Sequence, residues 1–262
     1  MRFLPRGFAV CISVTLLAFA SDPVPAALRQ ASPQSKRIPL AITHVTIINP
    51  QGSPQKDMTV VVSGGAIEWL GNSADPKHPT HKDELQVDAR GKFLIPGLWD
   101  MHTHVAGISA DPEWSKNVML PPLVANGITG IRDMGRELHA LQEWRREIAS
   151  GGLLGPQIVA AGPMLVPAPP SGTAKSKDPS ILEVGSPEAA RSAVDALRKQ
   201  GADFITVIPL SRAAYFAVAE ESKKDGITFV GHIPLNVTAS EASAAGQKSI
   251  EHIIYSSLAL DC

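Results

Sequence analysis

The chain has 262 residues, 44% of them hydrophobic, and a formal charge of −1 with acids and bases mixed throughout. Such a length and composition can bury a substantial core, which excludes a disordered or fibrous protein. With no block of like charge, the sequence argues against a nucleic-acid or anionic-membrane surface and for a small, weakly charged substrate.

Arg2 and Arg6 precede an apolar run from Phe8 to Ala20 that ends in Ala18-Phe19-Ala20 before Ser21. This is the pattern of a signal peptide with an A-x-A cleavage site, so residues 1–20 are read as one. The run is too short and wrongly flanked for a stable membrane span after cleavage. Cys11 would leave with it, and Cys262 alone can form no internal disulfide. The expected location is periplasmic or extracellular, argued from the signal and not from cysteine usage. Residues 21–37, rich in Pro, Ala and Ser without periodicity, read as a linker.

Between residues 38 and 91, short alternating apolar segments follow one another: Ile38–Ile48, Met58–Val62, Ala66–Leu70 and Leu85–Val87. Asn49-Pro50, Gly64-Gly65 and Gly71-Asn72 separate them as turns separate the strands of a small antiparallel unit. Gly64-Gly65 is the clearest hairpin signal. From residue 92 the rhythm changes. Strands are expected at Phe93–Trp99, Gly130–Asp133, Gln157–Ala160, Phe204–Ile208, Thr228–Val230 and Ser249–Ile250. Helices are expected near Val118–Asn126, Arg136–Ser150, Pro187–Gln200, Arg212–Asp225 and Ala239–Ala245. Ser186-Pro187-Glu188 is a helix start, and Gly201 and Gly246 stand where helices stop. Repeated β-then-α units predict parallel strands with crossover helices. Six such units fit an incomplete eight-fold (β/α) barrel better than a doubly wound sheet. A full barrel takes ~250 residues, so the stretch from Phe93 to Cys262 holds about six of eight units and reads as C-terminally truncated.

His102 and His104 close the first strand run of this region. Positions i and i+2 of a strand share a face, so both imidazoles can reach one metal ion. Active sites of barrels are built at the C-terminal ends of their strands. His232, in Gly231-His232, and His252, in Ser249-Ile-Glu-His252, follow later strands in the same way. Four strand-end histidines converging on one mouth are more than core packing requires. His44, His78, His81 and His139 sit in other contexts and read as ordinary polar residues. Arg132 and Asp133 end the second strand run and could reach the same mouth, although a rim or buried ion pair is the reading preferred. Lys175 and Lys177 lie in the loop Pro167–Pro179, which is either a substrate lid or a solvated loop.

Pro96-Gly-Leu-Trp-Asp-Met-His102-Thr-His104, Gly127-Ile-Thr-Gly-Ile-Arg-Asp-Met-Gly135, Gly201-Ala-Asp-Phe-Ile, Gly231-His232 and Gly246-Gln-Lys-Ser-Ile-Glu-His252 together resemble the amidohydrolase superfamily, nearest its imidazolonepropionase-like and prolidase-like branch. The resemblance runs from Ile38 to Tyr255. It implies a TIM-like barrel carrying a small β-sandwich built from both ends of the chain, of which only the N-terminal strands are here. It also implies a divalent metal, most simply Zn²⁺. In the family the H-x-H pair and a strand-eight Asp hold one ion, the later histidines hold a second, and a carboxylated Lys bridges them. Here Thr206 stands at the Lys position, and Asp261 falls too early to be the strand-eight Asp. The economical layout is therefore one ion on His102, His104 and His232, with His252 catalytic, orienting water or substrate. An ion between His232 and His252, or two ions, are the other layouts. The implied reaction is hydrolysis of amide C–N bonds in small molecules or short peptides by a metal-activated water. A homo-oligomer is compatible with it. The competing readings are an inactive binding protein that keeps the barrel and a non-functional fragment.

Overall fold

A computed structural model describes residues 38–106, 112–171, 174 and 176–252. The expected signal peptide and linker, and Lys175 and Asp261, lie outside the described residues. The chain divides into two compact units. The first holds the residues up to Trp99 with Leu123–Thr129 and Glu147–Pro156; the second holds Asp100–Pro122, Gly130–Arg146 and the residues from Gln157 onward.

The first unit is built on β1 (Leu40–Ile47), β2 (Gln55–Ser63), β3 (Ala66–Asn72), β4 (Leu85–Asp88) and β5 (Phe93–Leu94). They form one five-stranded sheet in the order β3-β2-β1-β4, with β5 also paired to β1. The hairpin forms where expected: Ser63 pairs with Ala66, and Gly64 and Gly65 take φ of +61° and +85°. Both values suit a tight two-residue turn whose twist matches the strands. The expected antiparallel unit needs correcting, because β4 and β5 run parallel to β1. Parallel neighbours need a crossover and not a hairpin, and the polar stretch 73–84 provides it. Ile42, Val45, Val60, Ala89 and Leu94 form this sheet's apolar core. A second sandwich layer is not among the described residues.

The single strand expected at Phe93–Trp99 is two: β5, and β6 (Leu98–Thr103), broken at Ile95-Pro96-Gly97. Pro96 brings no N–H to a ladder, which suits a break. His102 therefore lies inside β6, and His104 one residue past its end. The expected helix over Val118–Asn126 is composite: α1 (Pro112–Trp114), a π turn over Ser115–Met119, and α2 (Leu120–Ala125). Pro121 and Pro122 stand in the first turn of α2, where a missing N–H costs little.

There follow β7 (Ile128–Asp133), α3 (Leu138–Ser150), β8 (Gln157–Ala160), β9 (Met164–Pro167), β10 (Ile181–Val184), α4 (Pro187–Lys199), β11 (Phe204–Val207), α5 (Arg212–Asp225), β12 (Thr228–Gly231) and α6 (Ala239–Ala244). Strands β9 and β10 are additions to the sequence reading. They flank the Pro-rich loop, and each is only four residues long. Strands β6-β7-β8 make one sheet and β10-β9-β11-β12 another, and β7–β8, β9–β10 and β11–β12 are parallel pairs. The Asp203 N–H reaches the Ala160 carbonyl at 2.9 Å, and Ile250 bridges Gly231 in parallel, so chain order continues from strand to strand. Among the described residues these strands form two open sheets and no closed ring.

The helices start and stop for local reasons. The Ser186 hydroxyl accepts from Ala189 N–H with Pro187 in the first turn, and Thr238 and Glu241 form a reciprocal capping box. Helices α4 and α5 pack on β9, β11 and β12 through Leu165, Val194, Leu197, Ile205, Val207, Val218 and Phe229. Each such fully buried side chain contributes roughly 1.5–3 kcal/mol. Alternation then decides the opposite face. Ile205 and Val207 join the helix core, while Phe204 packs with Met134, Ala161 and Val230. Thr206, of the same parity as Phe204, shares that inner face.

Candidate active site

The four strand-end histidines meet in the second unit. Ring centres of His102 and His104 are 5.3 Å apart, His102 and His252 4.6 Å, and His232 and His252 5.4 Å. These residues are separated by up to 150 positions in the chain, so the clustering is a product of parallel strands ending at one edge. Backbone demands at that edge are strict. Gly231, just before His232, has φ +123°, and a Cβ there would collide with the Val207 carbonyl oxygen on β11. Gly135 has φ +149° and turns its carbonyl to His104 Nδ1, 3.3 Å away. His252 itself takes a left-handed φ of 57°, an uncommon state for a residue with a side chain.

Tautomers follow from the partners. A carbonyl oxygen only accepts, so His104 Nδ1 donates to Gly135 and the neutral ring keeps its lone pair on Nε2. His102 Nδ1 lies 2.8 Å from Glu251 Oε2, with the same consequence for an ionised carboxylate. Glu251 is held in turn: Arg132 Nη2 donates to its Oε1 at 2.6 Å, and the Ser249 hydroxyl donates to the same oxygen at 2.6 Å. Burial pushes the Glu251 carboxyl up, but hydrogen bonds from Ser249 and His102 and the charge of Arg132 prevail and hold it below its usual range. Burial lowers His104, opposed by its bond to Gly135 and reinforced by Arg136 and the neighbouring imidazoles. Burial lowers His232 too, with His252 and His102 adding to the effect. In both rings burial favours the neutral form, the form that can bind a metal.

Of the expected ion pair at Arg132 and Asp133, Arg132 forms one with Glu251, while Asp133 is held by backbone donors. Arg132 points to the inner face, where it donates to the Met101 carbonyl at 2.6 Å, to Ser249 Oγ at 3.0 Å and to Glu251. Adjacent strand residues face opposite sides, so Asp133 points away from it. Asp133 is fully buried and takes the Val105 N–H at 2.7 Å and the Gly135 N–H at 3.2 Å. Burial pushes its carboxyl up to about 6, against these backbone donors and the charge of Arg136. It thus ties the turn after His104 to the turn after β7.

Gln247 is a further support that sequence reasoning passed over. Its amide donates to the carbonyls of Gly231 and Ser249, both at 2.8 Å, and its oxygen accepts from the buried Tyr215 hydroxyl at 2.5 Å. One side chain thereby fixes the backbone before His232 and before Glu251-His252. The remaining histidines have local partners: His44 with Asp57, His81 with Glu68, His139 with Glu143, and His78 against the Trp69 ring. Lys177 is exposed, and a cavity of about 220 Å³ lies between Ala106, Arg136 and the Asp178-Pro179-Ser180 turn.

The donor chemistry suits a divalent cation. Four imidazoles crowd together, and two of them have Nδ1 committed elsewhere. The Thr206 hydroxyl is buried with no partner among the described residues. That is an orphan polar atom on the inner face. As they stand, no three His, Cys, Asp or Glu among the described residues are drawn close enough to hold an ion.

Residues 93–261 match the Amidohydrolase family, more than half of the chain. The chain belongs to the amidohydrolase family. Its relatives include the imidazolonepropionase of Pseudomonas syringae pv. tomato, 41% identical over 49 residues, which is 19% of this chain and 12% of that protein. The adenine deaminase of Bacillus pumilus is 30% identical over 120 residues, 41% of this chain and 19% of that protein. A crystal structure of a putative prolidase from Bifidobacterium longum superposes with a TM-score of 0.61 at 26% identity, covering 80% of this chain and 52% of that one. The matches thus span under a fifth of these two curated relatives and about half of the solved chain.

Proposed function

We propose that this family member is a metal-dependent hydrolase of amide C–N bonds in small molecules or short peptides. The observation that carries the reading is the meeting of His102, His104, His232 and His252 at one edge, with His102 backed by Glu251. His102, His104 and His232 are the residues to hold an ion, most simply Zn²⁺. A bound divalent ion supplies a Lewis acid and an activated water near neutral pH. His252, the most exposed of the four, would orient water or substrate. Thr206 offers no carbamate to bridge a second ion, which favours one ion over two.

The parallel strands, in chain order with helices between, support a TIM-like (β/α) barrel carrying the smaller N-terminal sheet as part of a sandwich. The apolar run Phe8–Ala20 supports export to the periplasm or beyond. No helix among the described residues is long and apolar enough to cross a membrane.

The test is metal analysis of the purified full chain together with hydrolysis of a panel of cyclic amides, N-acyl amino acids and dipeptides. About one equivalent of zinc, and turnover that a chelator abolishes and zinc restores, is expected. A folded sample that takes up no divalent metal sinks the reading and leaves the binding-protein alternative.

A further inference from the structure

The Glu251 carboxylate bridges parts of the chain far apart in sequence. It meets His102 149 residues away and Arg132 119 residues away. Its side chain is 11% exposed, and that of Arg132 is 13% exposed. Both of its oxygens are used: Oε2 by His102, and Oε1 by Arg132 and Ser249. Arg132 is itself fixed, with Nε on the Met101 carbonyl and its guanidinium 5.7 Å from the centre of the Phe204 ring. An exposed ion pair could swing between rotamers. This carboxylate has no such freedom, because His102 stands on β6 and Arg132 on β7, and Ser249 of its own segment holds the same oxygen as Arg132.

A carboxylate held in this way has one chemical effect on an imidazole. It accepts the Nδ1 proton, so the neutral ring carries its lone pair on Nε2 and cannot rotate without losing the bond. The neighbouring imidazole of His252 has its ring centre 4.6 Å from that of His102. We propose that Glu251 is the positioning residue that sets the tautomer and orientation of His102, and that Arg132 and Ser249 act by holding Glu251. The proposal rests on the metal reading only for its effect on metal affinity; the tautomer of His102 stands apart from it. Carboxylates behind ligating histidines typically account for 10–100-fold in metal affinity.

The experiment compares the full chain with Glu251→Gln, Glu251→Asp and Arg132→Met, each checked for folding by circular dichroism. The His102 tautomer is read by long-range ¹H–¹⁵N NMR on metal-free protein, with the signal assigned from His102→Gln. Zinc affinity is read by chelator competition. The full chain is expected to show the Nδ1–H form of His102, and Glu251→Gln a mixture, because an amide can also donate to Nδ1. Zinc affinity falls roughly 10–100-fold in Glu251→Gln. Glu251→Asp recovers the Nδ1–H form, and Arg132→Met shows a smaller loss than Glu251→Gln. An unchanged tautomer in Glu251→Gln overturns the proposal, and so does a zinc affinity within twofold of the full chain. If the full chain itself binds no zinc, the hydrolase reading falls, while the tautomer comparison still decides the role of Glu251.

Discussion

Histidine–carboxylate pairs occur in both units of this molecule, and their surroundings make them different objects. In the first unit, His44 pairs with Asp57 at 2.6 Å and His81 with Glu68 at 2.8 Å, all four side chains 29–56% exposed. In the second, His102 pairs with Glu251 at the same 2.8 Å, but the carboxylate is 11% exposed and shared with an arginine. Distance does not separate these pairs. What separates them is that Glu251 is anchored from two further strands and that His102 has other imidazoles beside it. An exposed pair trades one set of water contacts for another, whereas a buried, multiply bonded one orders its ring.

The comparison breaks first at the metal. His102→Gln is expected to weaken zinc binding by more than about 100-fold, because it removes a ligand and not merely its support. His81→Gln in the first unit should leave affinity unchanged within twofold. Equal effects in a chelator-competition assay would show that the two pairs are not different in kind.

Next in size is the backbone that brings the second cluster together. Gly231→Ala places a Cβ against the Val207 carbonyl at a φ of +123°. The expected cost is on the order of 3 kcal/mol in urea unfolding, with weakened zinc binding. A variant as stable as the parent would show that β11 and β12 can separate there without penalty.

A pH effect sharpens the contrast from another side. Asp133 has a folded pKa pushed up to about 6, above its unfolded value of 3.8. The folded state therefore holds this proton more tightly. Its contribution to stability is fully present below about 4 and is lost as pH rises through 6, by an amount on the order of 3 kcal/mol. Asp133→Asn, which cannot titrate, should lack that slope, so the difference in urea midpoints between the two proteins should change between pH 4 and 7. A constant difference would contradict the assignment. The smallest effect belongs to the exposed pair again: His81→Gln should alter stability by under about 0.5 kcal/mol, measured by thermal melting.

Much of this was readable before any coordinates. The Gly64-Gly65 hairpin, the helices α3 to α6 and the strands β7, β8, β11 and β12 fall within a few residues of their expected positions, since caps and periodicity act over a handful of residues. The failures have physical causes too. Strands β9 and β10 are four residues each, too short to show a period, and they were hidden by the Pro-rich loop they flank. Arg132 and Asp133 share one strand end in the sequence, but strand alternation turns them to opposite sides, and only Arg132 joins the histidines. Glu251 stood in view beside His252, but nothing local in the sequence marked it as the partner of His102.

Sequence alone determined that histidines would stand at the ends of several parallel strands, because H-x-H spacing and strand ends are local properties. Tertiary structure decided which group supports which ring. His102 and Glu251 are 149 residues apart, and their meeting depends on the register of β6 and β7 and on the Gly231–Ile250 bridge. Contacts of that kind carry no local signature. They are set by how whole strands pack, and a shift of one residue would turn every side chain to the other face.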